Sequence, residues 1–182
     1  MTDPIPPQEV IKVMYAPEVI HNRIRELAIE IAAAKMHDLL VVAVLKGSFV
    51  FAADLIRALH SAGMGPQVDF LSLSSYREGT VSTGRVTILR DIDVDVTDRD
   101  ILLVDDILDS GRTLHFAKGL LEGRGARRLT TCVLLDKPAG RVADIRADFI
   151  AFHCPDQFVV GYGMDKAYKY RELPFVGIVD PV

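Results

Sequence analysis

The stretch ILLVDDILDSGRT, residues 101 to 113, constrains the fold of this chain more than any other segment. Its first four residues are all Ile, Leu or Val, as in a strand buried on both faces of a parallel sheet. Two carboxylates, Asp105 and Asp106, end this run, and Asp109 follows in the next turn. The small residues that come next lead into helical apolar spacing from Leu114 onward. This order of strand, acids, loop and helix predicts a ligand site at the carboxyl end of a strand.

The loop from residue 110 to 113 predicts an anion site, because free N–H groups at the start of a helix favour negative charge. The neighbouring carboxylates would repel a phosphate unless a divalent cation intervenes or sugar hydroxyls donate to them. We therefore predict a sugar phosphate held with Mg²⁺, a cation that prefers oxygen ligands. The alternative is an ordinary acidic turn in which Ser110 or Thr113 caps the next helix. The complete order of elements favours the ligand site.

The same stretch resembles the diphosphate-sugar motif of the type I phosphoribosyltransferases, which use phosphoribosyl pyrophosphate. Ser110 stands where Thr is commoner, and Asp105 where many members carry Glu, so each position keeps its hydroxyl or carboxylate. The resemblance implies that Asp105 and Asp106 hold the ribose hydroxyls and Mg²⁺, and that Asp109 is the general base. The residues implied to bind the 5-phosphate are Ser110, Gly111, Arg112 and Thr113.

A second strand-to-helix turn, Lys46-Gly47-Ser48, follows the apolar run from residue 39 to 45. Taken alone, it is as well explained by a plain turn as by a second anion site. In the phosphoribosyltransferases a turn at this point binds the pyrophosphate. The resemblance therefore implies that Lys46 and Gly47 bind this group, and that the Leu45–Lys46 peptide takes an unusual conformation.

Two later segments resemble the purine-binding elements of the 6-oxopurine branch of the family, whose substrates include hypoxanthine and guanine. Asp136-Lys137-Pro138 alone would be interpreted as a surface turn, and residues 155 to 165 as a strand end with Gly bends. By resemblance, Lys137 donates to the purine 6-oxo group, Phe158 stacks on the ring, and the backbone of Val159 reads its edge.

The same resemblance extends to the pyrophosphate side of the site. It implies that Asp165 lies near the purine, the metal and the pyrophosphate, so that the implied metal ligands are Asp105, Asp106 and Asp165. Arg171 is implied to contact the pyrophosphate. The resemblance covers residues 10 to 179, with its motifs in the family's order.

Residues 75 to 84 are polar and contain Gly, which predicts a mobile loop. An exposed polar loop is the ordinary interpretation. Ser75 and Tyr76 resemble the flexible-loop pair of the hypoxanthine-guanine branch, however. A lid that closes over the transition state and excludes water is implied by that resemblance.

The alternating Asp91, Asp93 and Asp95 predict an edge or half-exposed strand. From Asp93 onward the sequence also mimics the DxDxT signature of phosphatases with an aspartate nucleophile. That nucleophile should directly end a hydrophobic strand, whereas Arg90 and Asp91 intervene here. We interpret these acids as a solvated face, and a phosphatase acting through Asp93 is a competing hypothesis.

Alternating strands and helices predict an α/β fold with a mainly parallel, doubly wound sheet. We expect residues 1 to 182 to form one phosphoribosyltransferase domain, in which residues 1 to 9 are a tail. A small C-terminal cap, built mainly from residues 136 to 174, is expected over the site.

Composition limits the partners. The net charge of −4 and pI near 5.7 argue against a nucleic-acid ligand. Cys132 and Cys154 lie in apolar runs, which predicts free buried thiols. The acidic, Pro-rich start is unlike a signal peptide, and no apolar run reaches membrane-spanning length, so we expect a cytoplasmic protein without a membrane partner. A mean hydropathy of +0.23, with the family's habit, suggests a homodimer or homotetramer.

The activity that the resemblance implies is a Mg²⁺-dependent glycosyltransferase reaction of purine salvage. It would convert hypoxanthine, guanine or both, with phosphoribosyl pyrophosphate, to IMP or GMP and pyrophosphate. Two rivals besides the phosphatase are a regulator with this fold that binds RNA or DNA, and a xanthine-preferring enzyme. The sequence does not rank the three purines.

Overall fold

The protein alternates strands with helices, as predicted, and the computed structural model describes residues 10 to 78 and 81 to 179, with backbone only from 75 to 85. The strands are β1 (Ile11–Tyr15), β2 (Leu40–Leu45), β3 (Gln67–Glu78), β4 (Val81–Arg90), β5 (Asp100–Leu108), β6 (Arg128–Asp136), β7 (Phe149–His153), β8 (Val159–Val160) and β9 (Val176–Val179). The helices are α1 (Pro17–Ala33), α2 (Phe49–Ser61) and α3 (Arg112–Gly123), and a 3₁₀ turn spans Pro138–Gly140.

The main sheet has the strand order β4-β3-β2-β5-β6-β7. Strand β2 runs parallel to both of its neighbours, and β5, β6 and β7 continue in the same direction. Strand β4 is antiparallel to β3. The carboxyl ends of five strands therefore meet at one edge, where ligands of open α/β sheets bind. The predicted mainly parallel α/β sheet is confirmed.

Helices cover both faces of this sheet, because successive residues of a strand point to opposite sides. In β2, Val41 packs with α1 and α2, whereas Val42 packs with α3. In β5, Leu102 and Leu103 divide between the two faces in the same way. All four side chains are fully buried, and each such burial contributes about 1.5–3 kcal/mol. Packing on both faces fixes the position of the sheet edge, from which the loops after β2 and β5 extend.

A second sheet has the order β1-β9-β8 and is antiparallel throughout. The core of the α1 and α2 layer includes Val159 and Val176 of this sheet, together with Tyr162 and Met164 from the segment between β8 and β9. The segment predicted as the cap, residues 136 to 174, is thus divided, since β7 lies in the main sheet and β8 in the second one. The second sheet takes its other strands from residues 11 to 15 and 176 to 179. The single domain stays a prediction.

Two local predictions were wrong. Ser75 and Tyr76 lie within β3, and pairing continues outward to Glu78 and Val81, so the described part of the predicted loop is an antiparallel extension. Asp91 to Asp95 form no strand. The carboxylate of Asp69 accepts hydrogen bonds from the backbone N–H groups of Asp93 and Val94, at 2.7 and 3.0 Å, and thereby holds the segment as a loop.

No helix in the described ranges is both long and apolar enough to cross a lipid bilayer. Cys132 and Cys154 are both free and buried, as predicted.

Candidate active site

A cavity of about 260 Å³ opens at the carboxyl ends of β2 and β5. It lies between the turn that follows β2 and the loop that connects β5 to α3, and Leu73 of β3 forms part of its wall. Eight of the residues predicted to bind phosphoribosyl pyrophosphate line it, namely Lys46, Gly47, Asp105, Asp106, Asp109, Ser110, Gly111 and Thr113. The structure thus brings two motifs that are 60 residues apart into one cavity.

The turn after β2 approaches the end of β5 very closely. A Cβ atom placed on Gly47 would lie 1.7 Å from Oδ2 of Asp106, so only Gly fits beside this carboxylate. The Leu45–Lys46 peptide bond is cis, which is the unusual conformation expected here. Lys46 is exposed, and its Nζ lies 5.7 Å from the ring centroid of Tyr168, within the range of a cation–π contact.

Two neighbouring acids lie near the end of β5, of which Asp105 is buried and Asp106 is partly exposed. The Asp105 side chain is buried, and burial, together with the charge of Asp106, raises its pKa well above the ordinary value. Burial also raises the pKa of Asp106, against hydrogen bonds and the nearby charge of Arg171, which lower it. An arrangement of this kind favours a ligand that brings positive charge or donated hydrogen bonds to the pair.

The loop after β5 leads through a left-handed glycine into α3. Gly111 caps α3 with φ +80°, a left-handed conformation that costs Gly little. A Cβ at this position would also lie 2.7 Å from Ile145. Helix α3 begins at Arg112, and Gly111, Thr113 and Leu114 line the first cavity, so the start of this helix lies at the cavity. The predicted loop at a helix start is therefore present, and anion binding by it stays a prediction.

A second cavity, of about 180 Å³, adjoins the first. It contains every predicted purine-binding residue, namely Lys137, Phe158, Val159 and Asp165. Asp106, Ile107 and Asp109 line both cavities. Phe158 is 55% exposed, which leaves its ring free to stack on a planar ligand.

Lys137 stands between two carboxylates in the second cavity. Its Nζ lies 3.0 Å from Oδ1 of Asp156 and 3.7 Å from Oδ2 of Asp109. Burial lowers the pKa of Lys137, but the hydrogen bond to Asp156 and the charge of Asp109 outweigh that effect and raise it. Lys137 is therefore a charged donor beside the predicted base.

Asp165 and Arg171 form an ion pair of 2.6 Å, and Arg171 also donates to the carbonyl of Gly163 at 2.6 Å. In the described ranges, no group of three or more His, Cys, Asp or Glu side chains could hold a metal without other ligands, and the set of Asp105, Asp106 and Asp165 stays a prediction. Asp105 and Asp106 still suit Mg²⁺, which usually takes one or two carboxylates and completes its shell with phosphate and water.

A sequence model of the phosphoribosyl transferase domain matches residues 16 to 167. The chain belongs to the phosphoribosyltransferase family. The hypoxanthine-guanine phosphoribosyltransferase of Bacillus subtilis is 43% identical over 174 residues, which are 95% of each chain. A hypoxanthine phosphoribosyltransferase of Buchnera aphidicola is 42% identical over 175 residues, covering 94% of this chain and 97% of that one.

Solved structures agree with this assignment. The crystal structure of a hypoxanthine-guanine phosphoribosyltransferase from Bacillus anthracis superposes with a TM-score of 0.87 at 44% identity. The match covers 94% of this chain and 100% of that chain. The family expected from the sequence motifs is therefore confirmed over nearly the whole length.

Some predicted residues of this phosphoribosyltransferase lie outside the two cavities. Arg112 and Arg171 line neither one, and Ser75 and Tyr76 lie in β3, where only the backbone is described. Conversely, the cavity walls include residues that sequence reasoning did not select, namely Leu73, Ile107, Leu108, Gln157 and Met164. Their proximity to the motifs was the available signal, since all five stand within two residues of a predicted site residue.

Proposed function

We propose that this protein transfers the 5-phosphoribosyl group from phosphoribosyl pyrophosphate to a ring nitrogen of hypoxanthine or guanine, forming IMP or GMP and releasing pyrophosphate. One observation carries the proposal. Two cavities of different chemistry meet at Asp106 and Asp109. The first contains the loop before α3 and the paired acids, and the second contains the cationic donor Lys137 and the exposed ring of Phe158. The names of the relatives support the choice of purine.

The first cavity would hold the sugar phosphate. The N–H groups from Ser110 to Thr113 bind the 5-phosphate, far from the reacting carbon, so that this binding energy serves to orient the sugar. Asp105 and Asp106 accept hydrogen bonds from the ribose hydroxyls. Burial raises the pKa of both carboxyls, which indicates that the protein alone stabilises their negative charge poorly. Hydrogen bonds from the ribose hydroxyls would stabilise that charge.

The pyrophosphate would leave toward the turn after β2. Its negative charge grows as the sugar–oxygen bond breaks, and Lys46, Arg171 and the Gly47 backbone would stabilise it. Mg²⁺ bound by Asp105 and Asp106 would add positive charge to the same leaving group. Asp165 would act through its ion pair with Arg171.

The second cavity would hold the purine. Lys137 donates to the 6-oxo group, Phe158 stacks on the ring, and the backbone of Val159 reads its edge. Asp109 lies where the two cavities join. As the ring nitrogen bonds to the sugar carbon and the pyrophosphate departs with its bonding electrons, Asp109 takes the nitrogen's proton.

We propose that Ser75 and Tyr76 help to close the site during transfer. They stand on β3 just beyond Leu73, which lines the first cavity. Closure would exclude water from a sugar carbon that carries positive charge in the transition state.

The decisive test is an assay of the purified protein with phosphoribosyl pyrophosphate and Mg²⁺. Hypoxanthine, guanine, xanthine and adenine are offered separately, and nucleotide formation is followed with and without EDTA. We expect turnover of 6-oxopurines, no turnover of adenine, and loss of activity with EDTA. A clear preference for xanthine would replace hypoxanthine and guanine as the proposed substrates. Absence of turnover with every base, together with tight binding of phosphoribosyl pyrophosphate, would favour the regulator.

We also propose a cytoplasmic homodimer or homotetramer without nucleic-acid or membrane partners. Two free cysteines suit a reducing compartment, and the net charge of −4 gives no general attraction to nucleic acid. Light scattering measures the oligomer, and a gel-shift assay at moderate salt tests nucleic-acid binding.

A further inference from the structure

Arg141, which directly follows the 3₁₀ turn, is largely buried behind the loop that carries Asp109. Its Nε donates to the carbonyl of Asp109 at 2.8 Å, and its Nη2 donates to the carbonyl of Leu108 at 2.7 Å. Nη2 also lies 2.6 Å from Oδ1 of Asp136, and Nη1 donates to the carbonyl of Ile145 at 2.8 Å. One guanidinium thus connects the end of β5, the end of β6 and the segment after the 3₁₀ turn.

This group of contacts reaches both halves of the site. The carbonyl of Leu108 also accepts the backbone N–H of Lys137 at 3.0 Å, so Arg141 binds the same atom as the chain beside the purine donor. Farther along, the N–H groups of Val142 and Ala143 donate to the carbonyl of Ser110, each at 3.0 Å. The segment that contains Arg141 therefore supports the loop from Leu108 to Ser110 along its length.

The residue before Arg141 limits where the Asp109 side chain can lie. A Cβ atom on Gly140 would be 2.4 Å from Oδ1 of Asp109, so the carboxylate rests against the bare backbone of Gly140. Arg141 holds the carbonyl of Asp109, and the space at Gly140 admits its carboxylate. Arg141 and Gly140 together fix the direction in which the carboxylate of Asp109 points.

We propose that Arg141 is a positioning residue for the transfer reaction, holding the backbone of Asp109 so that its carboxylate faces the junction of the two cavities. This inference rests on the proposed function, because it concerns the proton acceptor of that reaction. Only a planar guanidinium donates to several acceptors at fixed angles, whereas the Lys ammonium is a compact charge. A displacement of about 1 Å at a reacting group can cost about a hundredfold in rate.

The test compares R141K with R146K, a control at an exposed Arg of the same segment. Both changes are made in the parent and in D109N, and single-turnover rates and the KM for phosphoribosyl pyrophosphate are measured for all of them. We expect R141K to lower the rate at least about tenfold in the parent, with the KM changed less than about threefold. In D109N, R141K should lower the rate further by less than about threefold, because the group that it positions is already absent.

Equal losses from R141K in the parent and in D109N would show a general structural effect and overturn the inference. So would a parent rate that R141K leaves unchanged. G140A serves as a second variant if R141K does not fold, since it displaces the same carboxylate and retains the guanidinium. It should show the same dependence on Asp109. If the parent and R146K form no nucleotide, the proposed function itself fails, which is a separate result.

Discussion

The carboxylate of Asp106 fills the space beside Gly47, where a Cβ atom would lie 1.7 Å from Oδ2. We expect G47A to separate the pyrophosphate turn from the acidic pair and to lower kcat/KM for phosphoribosyl pyrophosphate at least about a hundredfold. The matched control is G65A, because a Cβ at Gly65 meets nothing within 4 Å. Steady-state kinetics of both variants check this, and an active G47A enzyme would show that the turn can move without loss.

Asp109 should matter for the proton transfer more than for binding. D109N keeps the size of the side chain but removes its basicity, so we expect kcat to fall about 10²–10⁴-fold. The Kd for phosphoribosyl pyrophosphate should change much less. D144N, at an exposed Asp, is the control. Near-normal turnover of D109N would remove Asp109 from the mechanism.

Asp105 should make stability depend on pH in an unusual direction. Burial raises the pKa of its carboxyl in the folded protein. Folding therefore takes up a proton between the unfolded and folded pKa values, and this contribution to stability, full below the unfolded pKa, is lost as the pH rises through the folded pKa. At about pH 7.5, where the unfolded carboxyl is ionised, folding must either bury the charge or take up a proton, and both cost free energy.

We accordingly expect D105N to be more stable than the parent at about pH 7.5, by about 1–3 kcal/mol. The Asn side chain keeps an oxygen that can accept the N–H of Asp106, which Asp105 now does at 3.0 Å. The advantage should shrink as the pH falls toward about 4.5. Thermal melts across this range, with D144N as the control, measure it. A less stable D105N at neutral pH would mean that the buried charge is compensated. Activity should fall, because Asp105 is a proposed substrate ligand.

Lys137 should affect the two substrates unequally. K137M removes the donor in the second cavity and leaves the first cavity intact, so the KM for hypoxanthine should rise at least about tenfold. The KM for phosphoribosyl pyrophosphate should change less than about threefold. K12M, at an exposed Lys of β1, is the control. Equal changes in both KM values would place Lys137 in a role shared by both substrates.

Gly119 offers a stabilising change away from the site. It lies exposed inside α3, and a Cβ there meets nothing within 4 Å. Ala loses less backbone entropy than Gly on entering a helix, so G119A should stabilise the protein by about 0.5–1 kcal/mol. Denaturant unfolding measures this change, and kcat should stay at the parent value.

The sequence predicts the acidic pair, the anion loop and the helix after them because these features are local. Apolar residues at helical spacing from residue 20 to 31 likewise predict one face of a helix, and in α1 they are buried, namely Ile20, Ile24, Leu27, Ala28 and Ile31. Spacing along one segment determines each of these results.

Other features depend on residues that are distant in the chain. Asp69 binds the backbone of Asp93 and Val94 across 24 and 25 positions, which no local alternation of acids reveals. Arg141 reaches Leu108 and Asp109 across 33 and 32 positions, and its Arg-after-Gly sequence gives no sign of these contacts. Long-range hydrogen bonds of this kind form only once the sheet is assembled.

The position of β9 between β1 and β8 has a consequence for synthesis. The carbonyl of Phe158 accepts the N–H of Val179, and Val159 pairs with Ile178. Every strand of the main sheet precedes β8 in the chain, so the ribosome produces the residues proposed to bind the 5-phosphate before residues 176 to 179 exist. The segment proposed to contact the purine through Phe158 and Val159 therefore gains its partner strand, β9, only after that platform has been made.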